Sequence, residues 1–284
     1  MTKKVSLVNM KGGVGKSTIA VNLAWHFARH REWHKRVLLV DLDPQFNASQ
    51  YLLGKDRYAG IIKNNEATIW DVFEQYTRTP GLNTTRRVDP HNVVHRRWPS
   101  GNFNDGAKLD LIPSRLEVAF SLMNPSQKEG LLADLISQIE AEYDLILFDC
   151  PPTESLFTQA AYLASDYVLV PVKPEYLSSI GLPLLATSVK TFLDRNPARS
   201  LEIAGIVFNG VNYYSPEETK SMKEIKELAS ENHWYLFKNM IEYSKSYPTG
   251  SRTGKAIAYT PYAHWDRIKG FQKFAEEFGE RIGL

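Results

Sequence analysis

Three glycines and two lysines crowd into eight residues near the start of the chain, Lys11-Gly12-Gly13-Val14-Gly15-Lys16-Ser17-Thr18. Such a loop suits a polyphosphate. Several adjacent negative charges need many short hydrogen-bond donors, and backbone N–H groups supply them where glycine leaves no side chain in the way. The apolar run Val5 to Val8 leads into the loop, and Ile19, Leu23 and Phe27 recur every fourth residue behind it. The loop therefore joins a strand to a helix, Lys16 to Arg29, whose positive N-terminal end faces the phosphates. In that setting Lys16 reaches the β- and γ-phosphates, and Ser17 offers its hydroxyl to Mg²⁺. The strict pattern G-x-x-x-x-G-K-[ST] requires glycine at position 10, where this chain has Met10 followed by an extra lysine, Lys11.

Phosphoryl transfer to water also needs carboxylates, to orient the nucleophile and to hold a hydrated metal. Val37-Leu38-Leu39-Val40 reads as a strand delivering Asp41 and Asp43, which the period of two places on one side. A turn capped by two aspartates before Pro44 is the plainer alternative. Asp149 ends the buried-strand run Leu145 to Phe148, a Walker B pattern. A carboxylate there is costly to desolvate, so a cation partner is expected. Cys150 follows it without a basic neighbour in sequence and reads as a small packed residue.

The elements that would position these groups alternate along the chain. Strand candidates are Val5–Val8, Val37–Val40, Leu109–Ile112, Leu145–Phe148, Tyr167–Pro171 and Ile203–Phe208. Helical stripes run through Ile19, Leu23 and Phe27, and through Leu131, Leu132, Leu135, Ile136 and Ile139. This alternation predicts an α/β fold, a predominantly parallel sheet with helices on both faces. Ser215, Pro216 and Glu218 spell the start of a further helix, with Ser215 as N-cap and Glu218 closing a capping box, running to about Asn232. Ile268, Phe271, Ala275, Phe278 and Ile282 mark a terminal helix packed on the core.

The whole chain, 1–284, reads as one P-loop domain interrupted by an insertion at about 54–108, where turn signals break the rhythm. One short helical piece, Ile69 to Phe73, and the basic pairs Arg86-Arg87 and Arg96-Arg97 lie in it. With 34 basic and 32 acidic residues the net charge is +2, so any affinity for a polyanion must come from a local patch. Cys150, the single cysteine, excludes an internal disulfide framework and fits a reducing cytoplasm. Nowhere do about 18 apolar residues run together, so no integral membrane segment is expected.

Lys11 to Thr18 resembles the deviant phosphate loop of the ParA/MinD family of P-loop ATPases. Further resemblance lies in Asp41-Leu42-Asp43-Pro44-Gln45, in Asp149-Cys150-Pro151-Pro152, and in blocks at residues 5–53, 109–118, 143–176, 203–209 and 254–260. The likeness implies ATP and Mg²⁺ as ligands and hydrolysis of ATP to ADP and phosphate. It implies that Lys11 crosses a nucleotide-sandwich homodimer to touch the partner's ATP. Asp43 would orient the attacking water, Asp41 would support the metal shell beside Ser17 and Asp149, Asn209 would bond the adenine edge, and the turn around Pro171 would help line the base pocket.

A loop starting at residue 11 leaves no room for a preceding helix-turn-helix domain, so the chain is most similar to short Soj-type partition ATPases. These relatives imply ATP-dependent dimers that coat nonspecific DNA on the nucleoid and answer to an adaptor of the ParB type. Lys220, Lys223 and Lys226 on the capped helix, with Lys245 and Arg252, are the candidate DNA contacts. Where many relatives carry Ile-Pro-Arg, this chain has Ile241-Glu242-Tyr243. Two rival functions use the same loop: a switch that positions a protein assembly or acts at a membrane surface, and a small-molecule ligase or kinase.

Overall fold

A computed structural model describes residues 1–76, 87–98, 106–125, 127–212 and 215–284. Arg86 and the turns marked by Pro80-Gly81 and Ser100-Gly101-Asn102 lie outside the described residues. The strands are β1 (Lys3–Leu7), β2 (Arg36–Asp41), β3 (His95–Trp98), β4 (Lys108–Ile112), β5 (Leu145–Asp149), β6 (Tyr167–Val172), β7 (Glu202–Val211) and β8 (Ile241–Glu242). In order of position the sheet runs β3-β4-β2-β5-β1-β6-β7-β8. Every neighbouring pair is parallel except β3 with β4.

Eleven α-helices are described: α1 (Lys16–Arg29), α2 (Asn47–Leu53), α3 (Lys55–Lys63), α4 (Ile69–Glu74), α5 (Pro90–Val93), α6 (Leu131–Ile139), α7 (Leu156–Ala164), α8 (Tyr176–Arg195), α9 (Pro216–Glu231), α10 (Ser246–Thr253) and α11 (Trp265–Ile282). They form two layers because the strands bury both faces. Leu38, Val40, Ile146 and Phe148 pack with α4, α6, α7, α8 and α9, while Val37, Leu39, Leu145 and Leu147 pack with α1, α2 and α11. Parallel strands covered on both sides are apolar along their whole length, which is why they were visible as unbroken runs. The six strand candidates fall in β1, β2, β4, β5, β6 and β7, with Val8 one residue beyond its strand.

Two expectations are corrected. Ser215 does stand at the N-cap with Pro216 behind it, but its side chain caps nothing, and Glu218 instead accepts the backbone N–H of Asn212 at 3.1 Å. The exposed strand end after Val211 competes for the carboxylate and the reciprocal box does not form. The stretch 54–108 carries α3, α4, α5 and β3 where one helical piece was expected. β3, with His95-Arg96-Arg97 in its sequence, lacks an apolar alternation and is held by antiparallel pairing to β4, an influence from outside its own segment. The helix at Ile69 agrees with its sequence signal, and a capping box of Thr68 with Asp71 starts it.

Candidate nucleotide site

The order β2-β5-β1-β6 brings four strand ends to one edge, where the loop after β1 meets the carboxylates of β2 and β5. Asp41 stands in register with Asp149 on neighbouring strands. A cleft of about 700 Å³ opens there, lined by Gly12, Gly13, Gly15, Lys16, Ser17, Thr18, Asp43 and Gln45 and, on its outer side, by Asn47, Gln50, Tyr51, Lys55, Ser251 and Arg252. This volume and the loop at its base suit a nucleoside triphosphate.

Gly15 is the N-cap of α1 with φ +93°, a left-handed conformation that glycine adopts without strain. A Cβ at this position would also collide with the amide nitrogen of Asn209. That amide donates to the Val14 carbonyl at 2.7 Å, so the side chain expected at adenine here braces the phosphate loop from β7. Val14 contributes backbone only, its side chain being fully buried.

Lys16 is buried, and its ammonium donates to the carbonyl of Asn9 at 3.0 Å and of Lys11 at 3.4 Å. Burial lowers its pKa, while the charges of Asp149, Cys150 and Asp43 resist that shift. Those carbonyls hold the ammonium inside the loop, in reach of phosphate oxygens that would replace them. Asn9, a residue the sequence did not single out, organises this turn: its Oδ1 accepts the Lys11 N–H at 2.8 Å and its Nδ2 donates to the Pro171 carbonyl at 2.7 Å. Pro171 thus sits within β6 and anchors the loop, away from the cleft lining. Lys11 is not in the lining either; its ammonium is paired with Glu175 of the same chain, at the N-cap of α8.

The three aspartates occupy different environments. Asp149 is fully buried, and neither carboxylate oxygen has a hydrogen-bond partner among the described residues. Burial, and after it the charge of Asp41, raise its pKa well above the usual carboxylate range, against the opposing influence of the Ser17 hydroxyl and Lys16. Asp41 is satisfied within the protein: Oδ2 accepts the Ser49 N–H at 2.8 Å and its hydroxyl at 2.6 Å, and Oδ1 accepts the Asp43 N–H at 3.1 Å. Burial nevertheless pushes its pKa up to about 7. Its influence on a metal shell is therefore indirect, through Asp43 and Asp149. Asp43 lines the cleft, with Oδ1 accepting the Gln45 N–H at 2.9 Å.

An orphaned buried carboxylate, a neighbouring hydroxyl and a second carboxylate in the cleft make a hard-oxygen donor set, which fits Mg²⁺ held by few protein groups together with phosphates and water. Among the described residues no three His, Cys, Asp or Glu side chains gather as a metal-binding group. Cys150 is buried, and burial first, then Asp149, push its thiol far up, so it is a packed and inert residue.

The DNA candidates do not come together. Lys220, Lys223 and Lys226 are exposed on α9, whose Ile225 and Ala229 pack on one sheet face. Arg252 is on α10, beside α2, where Tyr247, Ala256 and Ile257 pack on the opposite face. Lys223 pairs with Glu227 at 3.8 Å, and Glu217, Glu224 and Glu231 share α9, so the lysine stripe is part of a mixed-charge helix. Lys245 is exposed just ahead of α10. No helix among the described residues is long and apolar enough to cross a membrane.

The chain matches a family profile described as an AAA domain over residues 2–203. It is 32% identical over 289 residues to the chromosome-partitioning ATPase Soj of Treponema pallidum, covering 100% of this chain and 99% of Soj. Two solved structures share the fold at lower identity. The ATP complex of a Cyanothece McdA variant aligns with TM-score 0.78 and 19% identity over 100% of this chain and 97% of McdA. Cobyrinic acid a,c-diamide synthase of Mycobacterium smegmatis, with an ATP analogue and magnesium, gives TM-score 0.69 and 20% identity over 97% and 93%. With its lysine-bearing phosphate loop, its facing carboxylates and a full-length match to Soj, the chain belongs to the ParA/Soj-type P-loop ATPases, a family of partition and positioning proteins.

Proposed function

We propose that this protein hydrolyses ATP with Mg²⁺, dimerises in its ATP state, binds DNA nonspecifically and, through an adaptor of the ParB type, segregates or positions a plasmid or chromosomal cargo. The observation that carries this reading is the coexistence in one loop of Lys16, turned into the phosphate site, and Lys11, turned away from it toward Glu175. Lys16, Ser17 and Asp149 hold the phosphates and the cation in this scheme, and Asp43 orients the attacking water from the rim. Lys11 then has no task in its own cleft and serves that of a second copy. A cation supplied in trans to the charge developing on phosphate is worth about 10³-fold or more in related phosphoryl transfers.

A second reading, in which the cargo or matrix is a protein assembly, is favoured by the 3₁₀ segment Leu116–Met123. Leu116, Phe120, Leu122 and Met123 are exposed there, Met123 to 84%, and clustered exposed apolar side chains commonly mark protein contacts.

Cosedimentation of the purified chain with random-sequence duplex DNA, and separately with anionic vesicles, under ATP and under ADP, decides between them. Retention by DNA in ATP alone is the expected result. Retention by neither leaves the protein-assembly reading, and retention by vesicles alone overturns the DNA reading.

A further inference from the structure

The basic pair Arg96-Arg97 has no part in the nucleotide site, yet the fold carries Arg97 to its outer rim. Arg97 Nε donates to the Leu52 carbonyl at 2.6 Å and its Nη2 to the Gly254 carbonyl at 3.4 Å, so it ties edge strand β3 to the C-terminal ends of α2 and α10. Those ends meet at two glycines: a Cβ on Gly254 would lie 3.4 Å from the Gly54 nitrogen. Lys55 and Arg57 start α3 immediately after one glycine, and Arg252 and Lys255 flank the other. Five cations from three separate segments thus surround one junction.

Their charge is not neutralised within the fold. None of Lys55, Arg57, Arg97, Arg252 and Lys255 is in an ion pair among the described residues, and the hydrogen bonds made by Arg57 and Arg97 go to backbone carbonyls. All but Arg97 are exposed. Arg97 is held below the usual guanidinium range by burial, then by the charges of Arg57 and Arg29. The acid closest in sequence is Asp56, on the first turn of α3. Clamping the helix ends accounts for Arg97, but it gives no task to the four exposed cations around it, whose shared sign suits an anionic ligand.

We infer that the junction of Gly54 and Gly254, bearing Lys55, Arg57, Arg97, Arg252 and Lys255, is a binding surface for the phosphodiester backbone of duplex DNA. This rests on the proposed DNA binding and replaces the lysines of α9 as its location. Guanidinium forks such as that of Arg57 match phosphate oxygens in pairs, whereas an anionic lipid surface also calls for an apolar side chain to enter the bilayer. Among the described residues the exposed aliphatic side chains Met1, Leu116, Leu122, Met123 and Leu184 belong to other elements, and the exposed apolar groups that follow Lys255 closely in sequence are the tyrosines Tyr259 and Tyr262. Lys55 and Arg252 also line the nucleotide cleft, so one surface touches both DNA and the nucleotide site.

The test is fluorescence anisotropy with a labelled random-sequence duplex, titrated against salt in the presence of ATP. Arg57 and Lys255 are replaced together by alanine, because both are exposed and neither lines the cleft. If each meets one phosphate, the slope of log affinity on log salt falls by about two and the affinity at 0.1 M salt falls about 50-fold. An unchanged slope in this variant, with binding lost in the Lys220, Lys223 and Lys226 triple alanine, overturns the surface and leaves the DNA reading standing. Absence of wild-type binding overturns both. Retention on phosphatidylglycerol vesicles but not DNA, abolished in the double variant, also overturns the inference. Should the double variant fold poorly, amine acylation of the wild type serves: DNA protects Lys55 and Lys255 ahead of Lys220 and Lys226, and the reverse order refutes the surface.

Discussion

Asp149 is ionisable, fully buried and without a hydrogen-bond partner among the described residues, and it faces another carboxylate across the strand pair. Such a group costs the free protein either a buried charge or the uptake of a proton, and a cation relieves that cost, the usual trade between stability and function at a site. Asp149→Asn removes the charge at nearly constant shape. The free variant is expected to be more stable at neutral pH, because it need neither bury a charge nor take up a proton on folding. Its melting temperature should no longer rise on adding ATP with Mg²⁺. Calorimetry with and without nucleotide checks both halves, and a free protein no more stable than wild type would remove the argument from burial cost. At this scale the phosphate loop was legible because its chemistry is contiguous in sequence. Ser49 was not: it satisfies Asp41 from eight residues away, and a lone serine opening α2 carries no pattern of its own. Nor was the use of Asn209, since a bond to Val14 depends on β7 passing beside the loop.

Among the elements, α1 carries the phosphate loop at one end and a histidine pair at the other. The rings of His26 and His30 stack with centroids 4.8 Å apart, and His26 Nε2 is buried without a partner among the described residues. Burial, and then the charge of His30, hold His26 down to about 3. Below pH 6.5 the unfolded chain takes up a proton that the folded chain refuses, so stability from this group is complete above pH 6.5 and drains away toward pH 3. Between pH 7 and pH 5 the loss is about 2 kcal/mol. Asp41 acts in the opposite sense: with its pKa raised to about 7, stability declines as pH rises from about 4 toward 7. The pH dependence of wild type minus that of His26→Gln isolates the histidine. Denaturation midpoints should fall less between pH 7 and pH 5 in the variant, and an equal fall in both would assign the effect elsewhere. Elements buried on both faces were readable from sequence, as were α4 and α11, because periodicity reports burial directly. β3 and α9's missing capping box were not, because a neighbouring strand decides the first and a competing N–H the second.

For the molecule as a whole, the proposed action of Lys11 in trans requires a second copy to compete with Glu175 for the lysine. ATPase rate per chain should then climb steeply with protein concentration and level off once dimers dominate, whereas a rate proportional to protein from the lowest concentrations would place all the chemistry in one chain. Long-range convergence was the part of this scale that no sequence pattern revealed: residues 55, 57, 97, 252 and 255 meet only because α2 and α10 end side by side. Among the described residues the sheet ends at two margins. One is β3, four residues long, with a register irregularity between Arg96 and Trp98; the other is β8, only two residues long. Both borders are short, and β3 is also irregular and arginine-bearing, so they offer little template for another sheet to extend. Copies gathered densely along DNA, as proposed here, would meet at concentrations where exposed sheet margins can seed fibres, and margins this short would limit that growth.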